Sequence, residues 1–139
     1  MALDFDIGKA FEEWLKSLSI TGVGDRVYPV NIPEHNRVNN SEQTCLVYVS
    51  DGYSFPSRGM RRNTLIEHEY TLRVLGDGRE DVASIEREIV RTIDSYSGTI
   101  GTDSIVIQRV TVNQAGADEW EPDKQLRVRR ISLTLHYPI

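Results

Sequence analysis

The chain has 139 residues, of which 39% are apolar and 27% are charged. A chain of this size and composition can bury a hydrophobic core without covalent staples, which excludes an intrinsically disordered protein. Its net charge of −5 would repel nucleic acid, so the composition disfavours a general nucleic-acid-binding protein. We therefore expect a single folded domain over residues 1–139.

Cysteine content and hydropathy bear on the compartment. Cys45 is the only cysteine, which excludes an intrachain disulfide and a multi-cysteine metal site. The first residues carry acids where a secretory signal needs positive charge, and nowhere do about 18 apolar residues run together. We expect a protein of the cytoplasm, or of particles assembled there.

The first predicted element is a helix that begins near Ile7, with Asp4 or Asp6 able to cap its first turn. Its apolar residues share one helical stripe, which consists of Ile7, Ala10, Phe11, Trp14, Leu15 and Leu18. A strand is predicted at residues 26–30. Pro29 removes a backbone donor and limits this strand to a short or edge position.

Two central strands are predicted at residues 45–49 and 68–75. The first is apolar on both faces, which indicates a strand covered on both sides or at an interface. The second alternates apolar and polar residues. Residues 32–44 and 51–64 are predicted loops, because both contain proline and polar turn-forming residues.

A second helix should begin after the capping residue Asp77, and its apolar stripe consists of Val82, Ile85, Ile89, Ile93 and Tyr96. Two strands follow at residues 105–112 and 126–137. In the last strand Val128 and Ile131 fall on different faces, so a β-bulge is predicted near Arg129 and Arg130.

These elements predict an α+β fold. Two helices of this length cannot cover both faces of a sheet, so we expect both on one face of a mainly antiparallel sheet. The other face then needs polar residues or a partner. The helical stripes predict one core over the sheet that contains Phe11, Trp14, Leu15, Ile85, Ile89 and Ile93.

No residue pattern predicts catalysis. The histidines are predicted in a loop (His35), at the start of a strand (His68) and at the end of one (His136), without a nucleophile or orienting acid nearby. His68 and Glu69 point to opposite faces of a strand and cannot bind one metal ion together. We interpret Cys45 as a small buried thiol. No catalytic residue, metal or cofactor is expected.

The arginines of the last strand, Arg127, Arg129 and Arg130, resemble a basic patch. In an alternating strand they should point mostly to solvent, and no aromatic stacking platform accompanies them. Sequence-specific nucleic-acid binding is therefore not expected.

Two segments of opposite charge form the candidate interface. The arginine segment, residues 57–62, contains Arg58, Arg61 and Arg62. The acidic segment, residues 118–123, is expected to be a loop and contains Asp118, Glu119, Trp120, Glu121 and Asp123. Because Trp and Arg are over-represented at interface anchors, we expect partner contact by at least one segment. The alternative is that both are solvated surface loops.

The order of elements supports a resemblance over essentially the whole chain. The features concerned are the amphipathic first helix, Arg26-Val27-Tyr28-Pro29 followed by Pro33, the strand Leu46-Val47-Tyr48-Val49, the strand Tyr70-Thr71-Leu72-Arg73-Val74, the helix from Val82 to Tyr96, and a last strand ending Ile131-Ser132-Leu133-Thr134-Leu135-His136-Tyr137. In this order the chain resembles the tail terminator, or tail completion, family of long-tailed phages and prophages.

That resemblance implies a structural protein without catalytic residues. Six subunits would close into a ring on the last ring of the tail tube, stop tube polymerisation and present a surface to the head connector. The implied partners are other copies of the chain, the major tail tube protein and the head connector or stopper protein. DNA would pass through the ring, no membrane is involved, and the location is the virion tail, assembled in the host cytoplasm.

Within such a ring, the hypothesis is that the arginine segment of one subunit contacts the acidic segment of its neighbour or of the tail-tube ring. Three other functions are alternatives. A neck or head-completion connector is a ring-former of similar size. A small enzyme or ligand-binding α+β domain would need a pocket with converging polar groups. A tail-tube subunit is disfavoured because tube proteins need long hairpins.

Overall fold

The computed structural model describes residues 4–29, 44–55, 65–76, 79–121 and 126–138. They form two helices, a five-stranded sheet and a separate two-stranded sheet. In chain order the elements are α1 (Asp4–Ser17), β1 (Val27–Pro29), β2 (Cys45–Ser54), β3 (Leu65–Gly76), α2 (Arg79–Ile93), β4 (Gly98–Ile100), β5 (Ile105–Ile107), β6 (Arg109–Glu121) and β7 (Leu126–Pro138). The predicted α+β class is confirmed.

The larger sheet has the strand order β1-β2-β3-β7-β6. Only β1 runs parallel to its neighbour, and the other pairs in this sheet are antiparallel. Strand β1 is three residues long and lies at an edge, as predicted from Pro29. Strands β4 and β5 form the smaller antiparallel sheet.

Both helices pack on one face of the larger sheet. Phe11 of α1 lies with its ring centroid 4.3 Å from that of Tyr70 on β3. The same buried cluster contains all six predicted core residues, Phe11, Trp14, Leu15, Ile85, Ile89 and Ile93. Since each of these residues lies on its helix's apolar stripe, the helical period correctly predicted which faces are buried.

A second apolar cluster lies on the opposite face of the sheet. It consists of Cys45, Val47, Leu75 and Val128, with Tyr28 packed against it. Strand β2 is therefore buried on both faces over its first residues, as its composition predicted, and Cys45 is a buried thiol. In a regular strand Val128 and Ile131 point to opposite faces, and both faces of the sheet carry an apolar cluster, so both residues are buried without a bulge in β7.

The bulge predicted near Arg129 and Arg130 is accordingly wrong. Strand β7 pairs with β3 in unbroken register over its length, from Leu65 opposite Pro138 to Gly76 opposite Arg127. The irregularities that the structure shows lie instead in β2 and β6.

Two predicted strand boundaries also need correction. Strand β2 continues to Ser54 and β3 begins at Leu65, so residues 51–54 are part of β2 and not of a loop. The pairing of β2 with β3 shifts at Asp51, next to Gly52 with a φ of 101°, and then continues to Ser54. The remaining residues of the two predicted loops, 56–64 and 32–43, lie outside the described residues.

The single strand predicted at residues 105–112 is divided between two sheets. Strand β5 pairs with β4, whereas β6 joins the larger sheet. The break lies at Gln108, whose backbone N–H donates to the His136 carbonyl at 2.8 Å. At the first helix, α1 begins at Asp4, so Asp4 and Asp6 lie in its first turn. The capping contacts of these residues and of Asp77 fall outside the described part of the chain.

Candidate interface at the edge of the sheet

His68 is part of the core. It lies inside β3, not at the start of a strand, and its side chain is fully buried. Nε2 lies 2.7 Å from the Ser50 hydroxyl, and Nδ1 lies 3.1 Å from the Tyr137 hydroxyl. The imidazole stacks on Tyr70 with centroids 4.5 Å apart. Glu69 is exposed on the opposite face, as predicted. These contacts give His68 a structural role as a hydrogen-bonded core residue.

His136 lies on the other face of the sheet. Its Nδ1 is 3.7 Å from a Glu67 carboxylate oxygen, and its Nε2 is 3.3 Å from the Thr111 hydroxyl. Within the ranges that the structure describes, no three His, Cys, Asp or Glu side chains are grouped so that they could hold a metal ion. His35 lies outside those ranges.

A cleft of about 460 Å³ lies between α1 and the turn after β4. Glu13 on its rim accepts hydrogen bonds from the Thr102 N–H at 3.0 Å and the Thr102 hydroxyl at 2.8 Å. These two bonds lower the pKa of Glu13, with smaller contributions from Lys9 and Lys16. The carboxylate of the cleft thus fastens α1 to the turn.

The arginine segment lies outside the described residues, so its structure is not part of this site. The residues that flank it can be placed: Ser54 pairs with Glu67, and Leu65 pairs with Pro138. The acidic segment begins at the other end of the sheet, where Glu121 pairs with Leu126. Twelve-residue β3 spans this separation, which is about 36 Å. The two charged segments are therefore attached at opposite ends of the sheet.

The first four residues of the acidic segment are not a loop, which corrects the sequence prediction. Asp118, Glu119, Trp120 and Glu121 form the end of β6 and pair along β7, with Asp118 opposite Arg129. The side chains of Trp120 and Glu121 lie outside what the structure describes.

Two acids of the segment meet arginines of their own chain. An Asp118 carboxylate oxygen lies 3.7 Å from Arg129 Nε, and Glu119 accepts a hydrogen bond from Arg130 at 3.1 Å. Cross-strand pairs of this kind stabilise by about 0.2 to 1 kcal/mol when exposed. The prediction that these arginines point mostly to solvent is wrong for Arg129, whose side chain is 18% exposed.

Glu86 of α2 binds the backbone N–H of Gly116 and Arg129 of β7 binds its carbonyl, and we name this pair the Gly116 clamp. Glu86 accepts the Gly116 N–H at 2.7 Å, while Arg129 donates to the Gly116 carbonyl at 3.3 Å. Glu86 and Arg129 also contact each other at 3.3 Å. Glu86 is only 6% exposed, so the ion pair is largely removed from water.

The clamp lies where β6 is irregular. The pairing of β6 with β7 shifts between Val112 and Gln114 and again between Gln114 and Ala117. Gly116 adopts a φ of 94°, which favours glycine. The clamp thereby fixes the direction in which β6 continues into the acidic segment.

Sequence reasoning missed Glu86, although a signal was present. Glu86 is four residues after Val82 and three before Ile89, so it occupies a position on the apolar stripe of α2. A carboxylate in such a place predicts a buried partner. The partner itself could not be read from the spacing, because Arg129 belongs to a distant strand.

Comparison with known proteins gives a match in fold. No family model matches the chain, and no curated protein does. Fourteen chains of solved structures match. The fold is shared with a virion chain. That chain comes from a structure described as "Virion of native gene transfer agent (GTA) particle"; it superposes with a TM-score of 0.57 at 8% identity, covering 84% of this chain and 81% of its own.

No helix among the described residues combines the length and the apolar character needed to cross a bilayer.

Proposed function

We propose that this chain is a structural virion protein that caps the tail tube, terminates its polymerisation and forms the head-tail joining surface as a ring. The family resemblance implies six subunits in that ring. The observation that carries the proposal is the shared fold with a chain of a gene transfer agent virion, which extends over most of both chains. The order of elements, which resembles the tail terminator family, supports the finer assignment.

The placement of the charged segments supports contacts between neighbouring subunits. A ring uses a heterologous interface, in which each subunit presents one patch to one neighbour and a different patch to the other. Segments of opposite charge attached at opposite ends of the sheet satisfy that requirement. Since Asp118 and Glu119 already pair with Arg129 and Arg130, the contact with a partner depends chiefly on Trp120 and Glu121.

The role proposed is non-enzymatic and needs no cofactor. The partners are other copies of the chain, the major tail tube protein and the head connector or stopper protein, with DNA passing through the ring. The location is the virion tail, assembled in the host cytoplasm.

A tail-tube subunit needs long hairpins, and β6 and β7 form one, because they are 13 residues each and pair as antiparallel neighbours. Hairpin length therefore does not exclude this function. The terminator and the tube subunit must therefore be separated by experiment.

Deletion of the gene from the phage or prophage, with complementation from a plasmid, tests the function. Loss of a terminator should give tails of uncontrolled length that do not join heads, seen by electron microscopy of the lysate. Tails of normal length beside unjoined heads would identify a connector instead. A lysate with no tubes at all would identify a tube subunit.

The arginine segment is tested by the double change Arg61→Glu and Arg62→Glu. We expect loss of ring closure or of tail capping at physiological salt, because the two substitutions change the charge of the arginine segment from +3 to −1 and so replace attraction to the acidic segment with repulsion. Native mass spectra and tail-binding assays give the measurement. Adding Glu121→Arg should restore part of the function; Glu119 is left unchanged because it pairs with Arg130. Unaltered assembly of the double variant would show that the segment is solvated surface.

A further inference from the structure

Strand β6 lies at the edge of the larger sheet and is 13 residues long. An edge strand of this length offers backbone donors and acceptors to any other strand. Strand addition by a second copy of the same chain is an association outside any specific interface, and where it continues from copy to copy it leads to filaments or aggregates. A chain with such an edge is therefore exposed to this reaction whenever its concentration is high.

The chain itself occupies the start of this edge. The Val110 N–H donates to the Tyr96 carbonyl at 2.9 Å, and the Val110 carbonyl accepts from the Ser95 N–H at 2.8 Å. The segment that follows α2 thus takes the place that an added strand would occupy beside Val110.

Two carboxylates occupy the next donors. Asp94, directly after α2, accepts the Val112 N–H at 3.1 Å. Glu86, inside α2, accepts the Gly116 N–H at 2.7 Å. A carboxylate is a stronger acceptor than a neutral backbone carbonyl, so an incoming strand competes poorly for either N–H. The two shifts in pairing between Val112 and Ala117 also remove the regular geometry that strand addition needs.

We propose that Asp94 and Glu86 guard the β6 edge against strand addition by a second copy of this chain. Asp94 and Glu86 bind backbone N–H groups of β6, whereas the proposed contacts with a partner use side chains of β6 after Gly116. This inference does not depend on the proposed function, because it rests on the edge position of β6 and on the hydrogen bonds that Asp94 and Glu86 accept from it.

Asp94→Ala is the first test, because Asp94 is exposed and its loss should leave the core intact. Amide hydrogen exchange at Val112 should rise about tenfold with the loss of one hydrogen bond. Asp94→Asn keeps an acceptor oxygen and should stay close to the parent. Asp103→Ala removes an exposed acid elsewhere and is the matched control. Exchange at Val112 that is equal in all four proteins would overturn the role of Asp94.

The second test opens both guards through the triple change Asp94→Ala, Glu86→Leu and Arg129→Met. Replacing Glu86 and Arg129 together avoids an unpaired buried charge, so the variant should remain folded. Sedimentation velocity at increasing concentration, with thioflavin T binding, should show open-ended β-rich association where the parent stops at a fixed size. A folded triple variant, verified by circular dichroism, that associates no further than the parent would refute the proposal.

Discussion

Replacing Glu86 with alanine should lower the free energy of unfolding by about 3 to 5 kcal/mol. The change removes the acceptor of the Gly116 N–H and leaves Arg129 without its closest acidic partner in a largely buried place. Arg129 then keeps only its longer contact with Asp118, at 3.7 Å, so the desolvation of its largely buried charge is compensated less well than in the parent. The loss should appear as a lower midpoint in denaturant unfolding followed by circular dichroism.

Two companion variants separate the clamp from the charge of the helix. Glu86→Gln keeps an oxygen for the Gly116 N–H and should cost less than alanine. Asp81→Ala removes an exposed acid from the first turn of the same helix and should change stability by less than about 1 kcal/mol. If Glu86→Ala behaves like Asp81→Ala, the Gly116 clamp does not contribute to stability.

Replacing Ile89 with alanine should destabilise the chain by about 2 to 5 kcal/mol. Ile89 is fully buried on α2, in the cluster that joins both helices to the sheet. The smaller side chain loses its transfer free energy and leaves a cavity that the close-packed surroundings fill only in part.

The size of the truncation should set the size of the effect. Ile89→Val removes a single carbon and should cost about 0.5 to 1.5 kcal/mol. Arg91→Ala, at an exposed position two residues further along α2, should stay within about 0.5 kcal/mol of the parent. Equal denaturant midpoints for the parent and Ile89→Ala would mean that the buried face of α2 is assigned wrongly.

Elements with one apolar face were predictable, and polar strand ends were not. Phe11 and Ile89 lie on stripes of helical period, which identify the buried side of each helix without knowledge of its neighbours. Residues 51–54 are exposed and show no apolar period, yet they form the end of β2 because they pair with β3, which supplies the backbone hydrogen bonds. A polar strand segment that is held by pairing with its neighbour has no alternation of apolar and polar residues, so its sequence does not predict a strand.

For the candidate interface, too, some features were predictable from the sequence and others required the structure. Its charges and its tryptophan were evident from composition, and the opposite sign of the two segments can be read from residues such as Arg61 and Glu121. Their attachment at opposite ends of the sheet required the pairing of β3 with β7. Topology alone decides whether two segments distant in sequence lie together or apart.

The sequence by itself determined the α+β class, the buried faces of both helices and the double burial of β2, because hydrophobic periodicity reports how each element meets the core. Only the tertiary structure decided that Asp118 pairs with Arg129 and that Glu86 holds Gly116. Cross-strand partners depend on register, and in β6 two shifts in pairing alter that register. The charge balance of the interface is therefore a property of the folded sheet.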